Sequence, residues 1–246
     1  MEKAVSLESL IMGVIENTFK QMDELIEKEK MSYTISGGCC ALAAIHLMGK
    51  LYVANAGDSR AIIIRNREVI AMSNEFTPES ERQCLQYLVR AYKTIVEDDL
   101  KFPLIYGEGK KTRVMATIGV TRGLGDHDLK VIVYDMSEYK HGPDDVLVMG
   151  TDGLWDVTTD REVADAVSGF LSCCEPTDPV RYTLAAQDLL MRSRGVLKER
   201  GWWLPNERLG SGDDITCYVI PLAGPASVTP SLLPYPGGGA KKTPPL

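Results

Sequence analysis

Two acidic motifs in the second half of the chain each border a short apolar run. The motif T-D-G-L-W-D at residues 151–156 follows a run that predicts a buried strand ending near Asp152. The motif G-S-G-D-D at residues 210–214 precedes a run that predicts a second strand, beginning just after Asp213. Carboxylates that glycine turns hold at strand ends can converge on one hard divalent cation. Asp152 and Asp213 are therefore predicted ligands of Mg or Mn.

Two other acidic residues lie in segments that resemble turns. Glu75 could add a third carboxylate to the predicted metal site, although an exposed loop position explains it equally well. The G-D-S segment at residues 57–59 could bind an anion through its backbone amides. The sequence favours a simpler interpretation, a turn between strands in which Asp58 is structural and Arg60 pairs with a nearby carboxylate.

The predicted strands lie in the first third of the chain and around the acidic motifs. Short β-type runs separated by glycine and asparagine turns predict an antiparallel meander of four strands. These strands are expected at residues 41–45, 50–54, 61–65 and 69–72.

Three segments predict helices. Apolar residues at helical spacing indicate an amphipathic helix over residues 6–30. Thr159 and Glu162 form a capping box that predicts the start of a second helix. The Asp-Pro pair at 178–179 predicts a third helix through about residue 197. Strand meanders beside separate helices indicate an α+β class, with helices layered on antiparallel sheets.

Composition excludes several classes of protein. The chain has 246 residues, of which 44% are hydrophobic, and this length favours one domain. A net charge of −7 argues against partners such as nucleic acid or an anionic membrane surface. The sequence has no apolar run that could span a membrane and no secretory signal. Six cysteines without C-x-x-C spacing predict free thiols in a reducing compartment, either nucleus or cytoplasm.

Taken in order, the motifs resemble one protein family. Five segments carry the resemblance, at residues 36–41, 52–60, 120–126, 151–156 and 210–215. Together they are similar to the metal-dependent type 2C serine/threonine protein phosphatases, the PPM family, from about residue 6 to about residue 221. Residues 100–111 and 125–130 look most like the H/J/M branch of this family, and within it most like the M member.

The resemblance implies a fold, an activity and a set of metal ligands. It implies two antiparallel sheets in a sandwich flanked by helices, and a Mg or Mn centre that activates water to hydrolyse phosphoserine and phosphothreonine in protein substrates. Asp152 and Asp213 match metal ligands of the family, and Glu75 matches a position tied to a further metal. The resemblance implies no catalytic side chain beyond these ligands.

The sequence also departs from the family pattern. The family's D-G-H-x-G motif, which supplies a metal-bridging aspartate, is absent, and internal segments look missing near residues 89–90 and after residue 131. The sequence therefore predicts a truncated or spliced, incomplete phosphatase domain over residues 1–222, followed by a disordered Pro/Gly-rich tail over residues 223–246. Weak metal binding and little activity are expected. The alternative is a non-catalytic pseudophosphatase that binds partners.

Overall fold

The computed structural model describes most of the regions that carry the motifs. The described residues are 6–33, 37–83, 85–87, 105–106, 113–114, 119–125, 135–139 and 145–222. The predicted tail at 223–246 lies outside them. Residues 79–95 also have a helical pattern in the sequence, and about half of them lie outside the described residues.

The long helix α1 (Leu7–Tyr33) confirms the first predicted helix and extends it by three residues. Ile11, Ile15 and Phe19 lie on the face that packs against the neighbouring sheet. Asp23 is buried on the same helix, where its carboxylate accepts the backbone N–H of Gly125 at 3.0 Å. Apolar packing thus holds α1 against the sheet, and the buried hydrogen bond ties it to Gly125.

In the described residues, the strands form two larger antiparallel sheets and three two-stranded pairs. The strands are β1 (Gly38–Cys39), β2 (Ala41–Leu47), β3 (Lys50–Ala56), β4 (Arg60–Arg65), β5 (Glu68–Ala71), β6 (Ile105–Tyr106), β7 (Arg113–Val114), β8 (Leu124–Gly125), β9 (Asp135–Tyr139), β10 (Val146–Gly150), β11 (Val196–Lys198), β12 (Gly201–Trp203) and β13 (Cys217–Pro221). The sheet beside α1 has the order β2–β3–β9, and the second sheet has the order β13–β10–β4–β5; the pairs are β1–β8, β6–β7 and β11–β12.

The prediction of one four-stranded meander is wrong. Strands β2 and β3 pair with each other, as do β4 and β5, but β3 and β4 belong to different sheets. The chain crosses from one sheet to the other at residues 57–59, where Gly57 has a φ of 125°. Glycine suits this position for two reasons. The backbone is left-handed, and a Cβ there would lie 2.2 Å from Cys40 Sγ.

Helices from the second half of the chain lie around the second sheet. The short helix α2 (Asp152–Trp155) is separated from β10 by one residue, so Asp152 lies near the end of the predicted strand and is also the first residue of a helix. The capping box predicted at Thr159 and Glu162 is confirmed at the start of α3 (Asp160–Ser172). Helix α4 (Arg181–Arg194) begins two residues later than predicted, although Asp178 accepts the N–H of Val180 in the turn that precedes it.

Apolar side chains fill three interfaces between four layers. Ile15 of α1 packs on Tyr52 and Ala54 of β3. Between the sheets, Leu51 and Val53 meet side chains of β4 and β10, including Ile63 and Leu147. On the far side of the second sheet, α3 and α4 cover residues such as Ile62, Val148 and Val219. The fold is thus α+β, with a two-sheet sandwich between helices, as the sequence predicts.

Candidate functional site

Asp152 is held at the point where strand β10 becomes helix α2. Its Oδ1 accepts the backbone N–H of Gly153 at 2.9 Å, and the indole N–H of Trp155 donates to Gly150 O at 2.9 Å. Leu154 and Trp155 are buried beneath the sheet, so the short helix cannot rotate freely. The carboxylate of Asp152 is therefore held just past the end of strand β10, where it remains partly exposed.

Asp213 lies on the neighbouring loop before strand β13. Its backbone N–H approaches Ser211 Oγ at 3.3 Å, and its Oδ1 accepts the N–H of Asp214 at 2.7 Å. Ser211 is buried and its N–H donates to Ser193 O at 2.9 Å, which ties this loop to the end of α4. The side chain of Asp213 is exposed.

Backbone hydrogen bonds join the two loops that carry these aspartates. The N–H of Thr151 donates to Thr216 O at 3.0 Å, and the N–H of Thr216 donates to Thr151 Oγ1 at 3.1 Å. The structure thus brings Asp152 and Asp213 together, as the strand-end argument expects, and the negative charge of Asp213 acts on the carboxyl group of Asp152.

Asp58 belongs to the same cluster, and the interpretation of this residue as purely structural is incomplete. Its Oδ1 accepts the Cys40 thiol at 3.2 Å, which is a structural contact. Its charge nevertheless acts on Asp152 more strongly than the charge of Asp213 does. The sequence signal was present, because the G-D-S turn follows the buried strand β3 just as Asp152 follows β10.

The loop that carries Asp58 is fixed by a buried amide. Asn55 is 1% exposed, and its Nδ2 donates to the carbonyl oxygens of Gly57, Ser59 and Asn74 at 2.8–3.2 Å. The N–H of Phe76 also donates to Gly57 O at 3.0 Å. These bonds hold the segment around Glu75 against the Asp58 loop.

Electrostatics in the cluster disfavour negative charge when no cation is bound. Burial raises the pKa of Asp152, and the charges of Asp58 and Asp213 raise it further. Burial also raises the pKa of Asp58, with smaller contributions from the charges of Asp156 and Glu75. Carboxylates that repel one another in a partly buried site favour a bound cation, which would neutralise them.

Glu75 is placed close to this cluster but makes an ion pair. Arg60 donates one hydrogen bond to Glu75 Oε1 and another to Asp160 Oδ1. The expected pairing of Arg60 with a nearby carboxylate is thus present, and its partner is the third predicted metal ligand.

The oxygen chemistry of Asp152 and Asp213 fits Mg or Mn with several water ligands, because Mg commonly binds through one or two carboxylates. The fit ends there. Among the residues that the structure describes, no group of three or more His, Cys, Asp or Glu side chains is arranged to hold a metal ion. Within the described part of the chain, Asp152 and Asp213, supported by the charge of Asp58, are the carboxylates placed to bind a cation.

None of the helices in the described part of the chain is both long enough and apolar enough to cross a lipid bilayer.

Comparison with known proteins identifies the family. A model of the family described as protein phosphatase 2C matches residues 2–192. Human protein phosphatase 1H is 56% identical over 276 residues, covering 90% of this chain and 54% of the relative. Human protein phosphatase 1J is 51% identical over 281 residues, covering 92% of this chain and 56% of the relative. The chain spans about half the length of these curated relatives.

Solved structures agree on the fold. A Caenorhabditis elegans sex-determining protein superposes with a TM-score of 0.62 at 18% identity, covering 89% of this chain and 48% of that structure. A bacterial serine phosphatase superposes with a TM-score of 0.53 at 16% identity, covering 92% and 75% respectively. From the family match and the two relatives, the chain belongs to the protein phosphatase 2C family.

Proposed function

We propose that this chain carries the metal-dependent serine/threonine phosphatase function of its family, with Mg or Mn as cofactor and phosphorylated proteins as substrates. The observation that carries the proposal is the convergence of Asp152 and Asp213 where strand β10 ends and strand β13 begins, beside which Asp58 adds a third negative charge. Family membership supports the same conclusion.

Each group at the site has a role in this proposal. Asp152 and Asp213 would hold the cation. A bound divalent cation would stabilise negative charge on phosphoryl oxygens and lower the pKa of the water bound to it. Beside the cluster, a cleft of about 550 Å³ is lined by Arg60 and Arg122 together with their ion-pair partners Glu75, Asp160 and Glu81. Arginine binds phosphate through its planar set of donors, so a phosphorylated segment would bind here by displacing one of these carboxylates.

The second candidate function is a non-catalytic pseudophosphatase that binds partners. The described residues favour it in one respect, since no three-ligand metal group is found among them. The absence of the D-G-H-x-G motif from the sequence points the same way. In this form the chain would retain the binding surface of the family with weak metal affinity and little turnover.

The chain is also proposed to be a shortened form related to the H/J/M branch, most like the M member. Its alignment with human protein phosphatase 1H runs over 276 residues, which is longer than the 246 residues of the chain itself. Such an alignment is expected when relatives carry internal segments that this chain lacks. The free cysteines of the described regions support a reducing compartment, nucleus or cytoplasm.

The deciding experiment is hydrolysis of a phosphothreonine peptide by the full chain, with and without Mn, beside an Asp152→Asn variant. Turnover that requires Mn and disappears in the variant supports the phosphatase. A folded protein, shown by circular dichroism, that releases no phosphate supports the pseudophosphatase instead.

A further inference from the structure

One side of helix α1 carries a row of exposed apolar side chains. A different side of the helix packs on the sheet through Ile11, Ile15 and Phe19. Six positions spaced three or four residues apart share the exposed side and form the α1 stripe: Leu7, Leu10, Val14, Thr18, Met22 and Leu25. The five apolar residues of the stripe are each 46% to 66% exposed. A continuous apolar row of this length marks a surface that another protein element can cover.

Polar groups do not prevent the α1 stripe from being covered. The hydroxyl group of Thr18 donates to Val14 O at 2.8 Å within the helix, so it needs no partner from outside. The charged residues Glu16, Lys20 and Glu24 are exposed on another side of α1. An apolar surface could therefore pack on the stripe without burying an unpaired charge.

The sheet beside the stripe also exposes apolar side chains. Ile45 of β2 pairs with Tyr52 of β3, which packs beneath α1. Leu47 of β2 pairs with Lys50, whose ammonium group bonds Glu8 of α1 at 2.7 Å. Because directly paired residues lie on the same face of a sheet, Ile45 and Leu47 lie on the face that α1 covers. They are nevertheless 37% and 42% exposed, so α1 leaves this part of the face open.

The α1 stripe is turned towards β2 and away from β9. The helix runs along β3 in the direction of the strand, since Glu8 lies at Lys50, where β3 begins, and Ile15 packs further along it. With Ile15 facing the sheet, a right-handed helix in this direction places the stripe on the β2 side. In the described residues, β2 is an end strand of this sheet. The stripe and the exposed side chains of β2 therefore form one apolar step at the edge of the sheet.

The α1 stripe is symmetric about its midpoint at Glu16. The positions equally distant from this midpoint are Leu7 and Leu25, Leu10 and Met22, and Val14 and Thr18. A second copy of α1, turned antiparallel about the midpoint, would therefore meet the first with matching residues along the whole stripe. A two-fold dimer requires this kind of self-complementary surface.

The exposed apolar area is large enough for a dimer of modest affinity. With Ile45 and Leu47 included, burying these half-exposed side chains in two copies would remove roughly 1,000 Å² of surface from water, which is about the lower limit for a specific interface. We propose that this chain forms a homodimer through this surface. The α1 helices of the two copies pack antiparallel about Glu16, beside the open face of β2.

The test is self-association of the full chain, measured by sedimentation velocity at concentrations across the micromolar range. The unmodified chain is expected to form dimers as its concentration rises. Leu7→Glu and Leu25→Lys each place an unpaired charge against a leucine of the second copy, and each is expected to weaken the dimer at least about tenfold. Met191→Lys is the matched control, because Met191 is 62% exposed on α4, beyond the second sheet, and its substitution should leave the dimer unchanged.

Recovery by opposite charges tests the antiparallel arrangement. Residue 7 of one copy then lies against residue 25 of the other, so Leu7→Glu and Leu25→Lys should compensate each other. An equal mixture of the two variants, and the chain that carries both substitutions, are each expected to associate at least about fivefold more tightly than either variant alone. In a parallel pair, residue 7 would face residue 7, and the doubly substituted chain would not recover.

Circular dichroism identifies the folded variants, and the doubly substituted chain still tests the pairing if one single variant does not fold. A monomer at every concentration would overturn the inference and leave this surface to a partner other than a second copy. A dimer that neither substitution weakens, or weakening without recovery, would also overturn it. Self-association is measured without metal or substrate, so the result is independent of the phosphatase proposal.

Discussion

Gly153 packs directly against the backbone carbonyl of Asp214, so that a Cβ at Gly153 would lie 2.2 Å from Asp214 O. This approach brings the loop of Asp152 against the loop of Asp213. Thr151 Oγ1 also donates to Asp214 O at 3.3 Å, which closes the contact from the other side. The spacing of the two candidate ligands is therefore set by a backbone contact that only glycine permits.

We expect Gly153→Ala to separate these loops. The added methyl group meets a main-chain oxygen that hydrogen bonds hold in place, and such overpacking destabilises a protein by about 1–3 kcal/mol. Mn affinity is expected to fall as well, because Asp152 and Asp213 move apart. Chemical denaturation and calorimetry measure the two effects.

Gly169→Ala serves as the control for that substitution. Gly169 lies within helix α3, and its added Cβ would have nothing within 4 Å. Alanine there should stabilise the protein by up to about 1 kcal/mol through helix propensity. A Gly153→Ala protein as stable as the unmodified chain would show that the loop contact is not tight.

The convergence of the two aspartates is predictable from sequence, while the path of the chain between the sheets is not. Each aspartate borders an apolar strand, and neighbouring antiparallel strands bring such ends together, as β10 and β13 do. The meander prediction is wrong at β3 and β4, because a short turn indicates that the chain reverses direction but does not indicate which sheet the next strand joins. That choice depends on packing between layers, here of Val53 against Ile63.

Asp58 and Glu75 illustrate the same limit within the site. The sequence shows a strand followed by G-D-S, but the nearness of Asp58 to Asp152 depends on how the chain crosses between the sheets. The sequence offers Glu75 as a third carboxylate and predicts a carboxylate partner for Arg60, but no local pattern identifies Glu75 and Asp160 as the partners. Long-range ion pairs of this kind arise from tertiary contacts and leave no local pattern.

The pH dependence of stability follows from the raised pKa values in the cluster. Burial and neighbouring charges raise the pKa of Asp152 above its ordinary value of 3.8, and burial does the same for Asp58. A carboxyl group with a higher pKa in the folded state binds its proton more readily when folded. The free energy of unfolding of the metal-free protein should therefore fall as pH rises from 3.8 through the raised pKa.

Asp152→Asn should remove the part of this loss of stability that comes from Asp152. At neutral pH in EDTA, we expect the variant to be more stable than the unmodified protein by a few tenths to about 1 kcal/mol, a small value because the carboxyl group is partly exposed. Below pH 3.8 the difference should disappear, since the carboxyl group is then protonated. Denaturation across pH, with Asp165→Asn on the exposed face of α3 as control, tests this; a variant less stable at neutral pH contradicts it.

The capping box on α3 should make a measurable contribution to stability. Thr159 accepts the N–H of Glu162, and the Glu162 carboxylate accepts the N–H of Thr159 at 2.8 Å. Thr159→Ala removes one of these two hydrogen bonds and should lower the free energy of unfolding by about 1 kcal/mol. Thr159→Ser keeps the hydroxyl group and should lose much less, so equal losses in the two variants would argue against a capping role.

The Cys40 thiol should be unusually slow to react. Cys40 is exposed as a residue, but desolvation of its sulfur, which packs beside Gly57, and the negative charge of Asp58 raise its pKa to about 12. Because the thiolate is the reactive species, we expect iodoacetamide at pH 8 to alkylate Cys40 at least about tenfold more slowly than Cys173, which is also exposed. Peptide mass spectrometry over a time course measures both rates in one sample.

Asp58→Asn tests the electrostatic part of that expectation. Removing the charge beside the sulfur should lower the pKa of Cys40 and speed its alkylation by roughly threefold or more, while the rate at Cys173 stays the same. Burial is the larger cause of the raised pKa, so the thiol should remain slower than Cys173 even in the variant. An unchanged rate at Cys40 would show that Asp58 does not act on the thiol, and would weaken the case for Asp58 as a member of the charged cluster around Asp152.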